Sequence, residues 1–191
     1  RVAKESIFTG LNNFNVFSIT DMDFDEYFGF TDEEVKEILA YYGLEENYGI
    51  VKDWYDGYRF GNSQVYCPWD VICYCSRNRR HKNLPPQNYW LNTSGNDVLK
   101  HVVESKETMT DRKMLTRTEM EQLVSGEEVQ KEIRQELTWP ELYSSPDNIW
   151  SALFMTGYLT WRGEPDGKRY RLVIPNREIR EFCKVLLEKE Q

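Results

Sequence analysis

The chain has 191 residues, with 24 Lys and Arg against 32 Asp and Glu, a formal charge of −8, and 14% aromatic residues including 6 Trp and 12 Tyr. That content supplies a packed core and excludes wholesale disorder, and no run approaches the roughly 18 apolar residues that a membrane span needs. The negative balance disfavours non-specific DNA binding by the whole surface, and Arg1 to Thr9 carry no signal-peptide hydrophobic stretch.

In chain order, Gly10 to Asn13 form a polar turn, and Phe14 to Ile19 alternate apolar and polar residues as a short strand does. A strand so near the start needs partners, and none is evident upstream, so the chain reads as cut from something longer. Residues 21–60 hold 12 acids against 3 bases, a local balance of −9. Within them Thr31-Asp32-Glu33-Glu34 is a capping box, with Phe30 and Val35 at staple positions. Val35, Ile38, Leu39 and Tyr42 line one helical face, and Gly43 supplies a left-handed stop. The acids read mainly as a solvated face, with a carboxylate metal cluster as the minority alternative.

Residues 54–66 are dense in aromatics and turn formers, and read as an irregular hairpin or tight loop. The aromatic loop is either a ligand-stacking platform or, more commonly for such residues, core lining. Pro68 suits a first helical turn, with Trp69, Ile72, Cys73 and Ser76 expected inward and Cys67 as a poor N-cap. The four cysteines (Cys67, Cys73, Cys75, Cys183) are too few for a disulfide framework in a chain of this length and read as buried thiols in a reducing cytoplasm. Cys67, Cys73, Cys75 and His81 have spacing C-x5-C-x-C-x5-H, which does not match the paired spacing of zinc sites.

Ser76 to Gln87 is a basic loop with Arg77, Arg79, Arg80, His81 and Lys82, and no interleaved aromatic for base stacking. Tyr89 to Leu91 reads as extended, and Asp97 to Val103 as a helix start. A second capping box, Thr116 to Glu119, is expected to begin a helix over Met120, Leu123 and Val124 that ends at Gly126. Val129, Ile133 and Leu137 lean towards an extended segment. Ser145-Pro146 opens a helix with Ile149, Trp150, Leu153 and Phe154 on its apolar side, stopped at Gly157. Tyr158 to Arg162 and Lys168 to Ile174 read as a hairpin turned at 164–167, and Asn176 caps a last helix with Ile179, Phe182, Cys183, Leu186 and Leu187 inward. Residues 161–180 carry 6 bases against 3 acids, so charge is polarised from acidic early to basic late.

No phosphate loop, G-x-G-x-x-G, G-x-S-x-G or H-E-x-x-H occurs, and the 2 histidines, His81 and His101, sit in no catalytic motif. No catalytic residue and no metal ligand is therefore assigned. Asp53 and Asp56 are close in sequence, which alone does not make an acid–base pair.

Six ordered blocks carry a family resemblance: Ser6-Ile7-Phe8-Thr9-Gly10-Leu11-Asn12-Asn13, Tyr27-Phe28-Gly29-Phe30-Thr31, Trp54-Tyr55-Asp56-Gly57-Tyr58-Arg59-Phe60-Gly61, Tyr66-Cys67-Pro68-Trp69-Asp70-Val71, Tyr89-Trp90-Leu91-Asn92-Thr93-Ser94-Gly95-Asn96-Asp97, and Asp147 to Ser151 with Thr156 to Thr160. Along essentially its whole length the chain resembles bacterial AAA-ATPase-like proteins, which usually end in a domain of the PD-(D/E)xK nuclease superfamily. The resemblance implies that the phosphate loop and the Mg-binding acidic strand lie upstream of the Gly-Leu-Asn-Asn block, and the nuclease-like domain downstream of the last helix. It implies a remnant of the nucleotide-binding sheet at 1–20, a helical lid-like region with short strands at 21–140 and a winged-helix-like element at 141–191.

The expected fold is α+β, predominantly helical, ending in a winged-helix-like helix–hairpin–helix. The implied role is a non-catalytic, cytoplasmic portion of an ATPase-like protein, with ATP and Mg bound only by the intact molecule. Its partners would be its own upstream nucleotide-binding region and the downstream nuclease-like domain, with no membrane. Arg1 and Lys4 match the basic positions just after the family's sensor-like strand, which by this resemblance would bring them towards a γ-phosphate in the intact protein. Cys67 departs from the Asn that often precedes Pro-Trp. Two alternatives stand beside this reading: a nucleic-acid module using Lys168, Arg169, Arg171, Arg177 and Arg180, and a protein-interaction module using Trp54 to Phe60.

Overall fold

The computed structural model describes residues 18–90, 111–135, 137, 141 and 145–188. Among them are six α-helices and two small antiparallel sheets, a mixed α/β architecture. The chain forms two compact units. One gathers the described residues of Thr20–Gly95 with Pro175–Phe182, and the other those of Asn96–Ile174 with Cys183–Gln191, together with Ser18 and Ile19. Arg1, Lys4, the expected strand at 14–19 up to residue 17, and the expected helix start at 97–103 lie outside the described residues.

In the first unit, helix α1 (Asp32–Tyr42) starts where its cap predicts. The Glu34 amide donates to Thr31 Oγ1 at 3.3 Å, and the Thr31 amide donates to Glu34 Oε2 at 2.8 Å. Gly43, at φ 64°, ends the helix, and the Leu44 amide reaches back to the Leu39 carbonyl at 2.8 Å. A 3-10 turn at Glu45–Asn47 leads into α2 (Tyr48–Tyr55), which the sequence reading did not foresee. Strands β1 (Tyr58–Phe60) and β2 (Ser63–Val65) pair antiparallel around Gly61-Asn62. Helix α3 (Pro68–Asn78) follows.

Its inner face corrects the expectation. Asp70, Val71, Tyr74, Cys75 and Asn78 are buried, while Trp69 and Ile72 are exposed and Ser76 faces solvent. The apolar residues of this helix fall on two faces, and the buried polar residues Asp70 and Asn78 mark the true one. Val35, Leu39, Leu44, Val51, Tyr55, Tyr66, Val71, Tyr74 and Cys75 form the core of this unit. Each large side chain withdrawn from water contributes about 1.5–3 kcal/mol.

Asp32 ties the edge of this core together. Its carboxylate accepts from the Tyr66 hydroxyl (2.6 Å), the Tyr48 hydroxyl (2.7 Å) and Lys52 (3.3 Å), and pairs with Lys36 at 2.5 Å. Burial pushes its pKa up, but these hydrogen bonds outweigh that and hold it well below the usual carboxylate range.

In the second unit, α4 (Asp111–Ser125) already runs before Thr116, so the second capping box lies inside the helix. Glu119 instead binds the Lys131 ammonium at 2.6 Å. Strand β3 (Val129–Glu132) is extended as expected, and α5 (Pro146–Met155) begins at the Ser145 cap and buries Trp150, Leu153 and Phe154. Strands β4 (Thr160–Asp166) and β5 (Arg169–Val173) form a longer hairpin than expected. Residues 164–166, read as turn, continue β4, with an irregularity between Arg162 and Asp166. The sheet order is β3-β5-β4, with Val129 opposite Leu172 and Trp161 opposite Leu172 from the other side. Helix α6 (Arg177–Glu188) then starts in the first unit and finishes in the second. Among the described residues no helix is long and apolar enough to cross a membrane.

Candidate functional site

The aromatic block at 54–58 lies at the end of α2 and the start of β1, and is largely inside the first unit. Tyr55 is fully buried, Asp56 and Tyr58 are buried, and Trp54 packs partly buried against the core. The Tyr55 hydroxyl donates to the Gln87 carbonyl at 3.0 Å, and its ring meets those of Tyr74 and Tyr89 at 6.0 and 6.1 Å. Burial drives the Tyr55 and Tyr58 hydroxyls far from ionisation. Asp56 accepts from Gln64 at 2.9 Å, and burial raises its pKa. In this arrangement the block is core lining, and no open stacking surface remains on Tyr55 or Tyr58.

What the block holds is the segment 175–182. Gly57 sits at φ 102°, and a Cβ there would collide with the Pro175 carbonyl. Only glycine combines that backbone conformation with so close an approach. The Asn176 side chain lies beside the Tyr58 hydroxyl, and Asn176 Oδ1 accepts the Ile179 amide at 3.2 Å, capping α6. The Arg177 guanidinium lies 5.3 Å over the Trp54 ring and pairs with Asp53 at 3.2 Å and Glu181 at 3.7 Å.

Below this, two acids meet with no exposed surface. Asp70, from the first turn of α3, and Glu178, from the first turn of α6, are both 0% exposed. Glu178 Oε1 accepts the Trp90 amide at 3.1 Å. The Asp70 carboxyl faces the Cys67 thiol, Glu178 and the Trp90 amide, and neither of its oxygens reaches full hydrogen-bond geometry. Burial pushes the Asp70 pKa up, and burial followed by the adjacent Asp70 charge does the same to the Cys67 thiol. Two carboxylates withdrawn from water cannot both stay ionised at low cost, and the upward shift of Asp70 has that burial as its first cause.

This clamp joins four places distant in sequence: the Trp54–Tyr58 block, Cys67 with Asp70, Trp90, and Asn176 with Glu178. Its described side chains at Tyr55, Asp56, Tyr58, Asp70, Asn176 and Glu178 are withdrawn from water, the geometry of a closed latch. Sequence reading missed Asp70 and Glu178. Asp70 stands in a mostly apolar run after Cys67-Pro68, the one signal that pointed inward.

The basic candidates fall in two places. Lys168, Arg169 and Arg171 sit on the β4–β5 hairpin of the second unit, all exposed, with Arg171 3.6 Å from Glu128. Arg177 and Arg180 belong to the clamped segment of the first unit. The second unit also has a cleft of about 310 Å³ where Lys131, Arg134 and Arg169 face Glu132 and Asp147 around Trp150. Lys131 is already bound to Glu119 and lies 4.6 Å over the Trp150 ring, so the remaining charges balance. Among the described residues, no group of three or more His, Cys, Asp or Glu is placed to hold a metal ion.

No family model matches the sequence, and no curated protein or solved structure matches it significantly.

Proposed function

We propose that the chain is the non-catalytic lid and winged-helix portion of a bacterial AAA-ATPase-like protein, which couples nucleotide state to a neighbouring nuclease-like domain. The observation that carries this reading is the interleaving of the chain at the clamp. Residues 175–182 are gripped inside the first unit, while the residues on both sides of them along the chain belong to the second. A displacement of the grip is therefore passed along continuous backbone in both directions, which is what a coupling element requires.

The winged-helix part of the proposal draws support from chain order. Elements α4, β3, α5, β4 and β5 follow one another as helix, strand, helix and hairpin, and β3 pairs with the second hairpin strand. In the intact protein, ATP and Mg would be held by the upstream region, with Arg1 and Lys4 nearby by resemblance. Titration of the 191-residue chain with Mg-ATP tests the proposal. No saturable signal is expected at millimolar nucleotide, and tight binding by this chain would overturn it.

Nucleic-acid binding is the second reading, favoured by the exposed Lys168 and Arg169 on the hairpin. Against it, α5 turns Trp150, Leu153 and Phe154 inward and leads with Asp147, leaving little to read base edges. Affinity for duplex DNA that falls steeply with salt, and falls further in Lys168→Ala/Arg169→Ala, would favour this second reading.

A further inference from the structure

The segment preceding α1 carries four large apolar side chains on its outside. Met22 is 68% exposed, Phe24 55%, Tyr27 81% and Phe28 66%. They alternate with Asp21, Asp23, Asp25 and Glu26, and no Lys, Arg or His occurs between Lys4 and Lys36. The segment is pinned in place. Asp25 Oδ2 accepts the Asn62 amide at 2.9 Å, the Asn62 side-chain amide meets the Met22 sulfur at 3.1 Å, and Phe30 bridges to Tyr66 in a β-pair. The Phe24 and Tyr27 rings pack edge-on at 6.1 Å.

A run of apolar side chains held outward on a fixed backbone is the signature of an interaction surface, and a fixed backbone lowers the ordering cost of binding. The charge decides the occupant. Asp23 and Glu26 are exposed beside the rings, so an acidic or neutral partner surface would leave carboxylates against apolar groups without compensation. We infer that residues 21–28 dock a cationic amphipathic protein segment, in which aliphatic side chains cover Tyr27 and Phe28 while Lys or Arg meets Asp23 and Glu26. This site is separate from the 175–182 clamp and stands whether or not the coupling proposal does.

The test uses fluorescence anisotropy of a labelled Leu/Lys peptide with apolar residues at helical spacing. A Ser/Lys peptide of equal charge and a Leu/Glu peptide serve as controls. The Leu/Lys peptide is expected to bind the chain saturably, to weaken as salt rises, and to bind about tenfold more weakly to Tyr27→Ser/Phe28→Ser, a loss in the range of interface hot spots. Asp23→Asn/Glu26→Gln, a variant that removes no apolar contact, should lose most of the salt dependence. Equal binding by wild type and both variants overturns the inference, as does equal binding of the Ser/Lys peptide. It is also overturned if sedimentation shows a dimer that disappears in Tyr27→Ser/Phe28→Ser without peptide binding, which makes the occupant a second copy. Binding to phosphatidylcholine vesicles that the same variant abolishes, without peptide binding, overturns it in favour of a lipid surface.

Discussion

Replacing Gly57 by alanine tests the clamp at its tightest point. Two terms add. A non-glycine residue at φ 102° carries a backbone penalty of about 1–2 kcal/mol. The new methyl group collides with the Pro175 carbonyl, a main-chain atom that yields only if the segment moves. Overpacking of this kind costs roughly 1–3 kcal/mol. A total of about 3 kcal/mol corresponds to a fall in Tm of roughly 6–12 °C for a chain of this size. Differential scanning calorimetry measures it, and the near-ultraviolet signal of Trp54 under Arg177 reports whether the contact opens. A Gly57→Ala protein that melts within a degree of wild type with that signal intact would refute the reasoning.

Asp70→Asn addresses the buried acid pair. The folded-state pKa of Asp70 is raised, so its protonated form favours folding below the ordinary carboxylate pKa, and that advantage is lost as pH rises towards the folded value. The variant should therefore gain stability relative to wild type as pH rises above the ordinary carboxylate range, measured by urea titration; parallel profiles would contradict the raised Asp70 pKa. Asp32→Asn has the opposite sign. Asp32 is lowered, so its contribution is present above the ordinary value and lost as pH falls from there through the lowered folded value, and the variant should show a shallower acid-denaturation limb by circular dichroism. Iodoacetamide labelling with mass spectrometry should modify the partly exposed Cys73 first; Cys75, pushed up to about 11 by burial, and Cys183, pushed up to about 12, should react only on unfolding. Equal labelling of Cys73 and Cys183 in the native chain would contradict the packing.

Much of the local structure was legible where a single interaction decides it. The Thr31 box and Gly43 fix both ends of α1, and Ser145 with Gly157 bracket α5. Helix α2 was not legible, because Tyr48-Gly49-Ile50-Val51 has weak helical propensity and gains its helix from burial of Val51 and Tyr55. The Thr116 box failed for a related reason: capping residues inside a longer helix carry the same pattern, and Glu119 was bound by Lys131 instead. The phase of α3 was misread because its inner face includes Asp70 and Asn78. Tertiary contact with Glu178, 108 positions away in the chain, reveals itself only in three dimensions. Core lining was the favoured of two sequence readings of the aromatic block, but its grip on Pro175 depends on an atomic approach at Gly57 that no spacing encodes.

Hydrogen exchange on the intact protein, with and without Mg-ATP, tests the coupling claim most directly. The amides of 177–182 and that of Trp90 report the grip of the clamp. The account predicts that nucleotide changes their exchange together with that of the 58–65 hairpin. Exchange there that stays the same on nucleotide binding, while amides elsewhere respond, would contradict it.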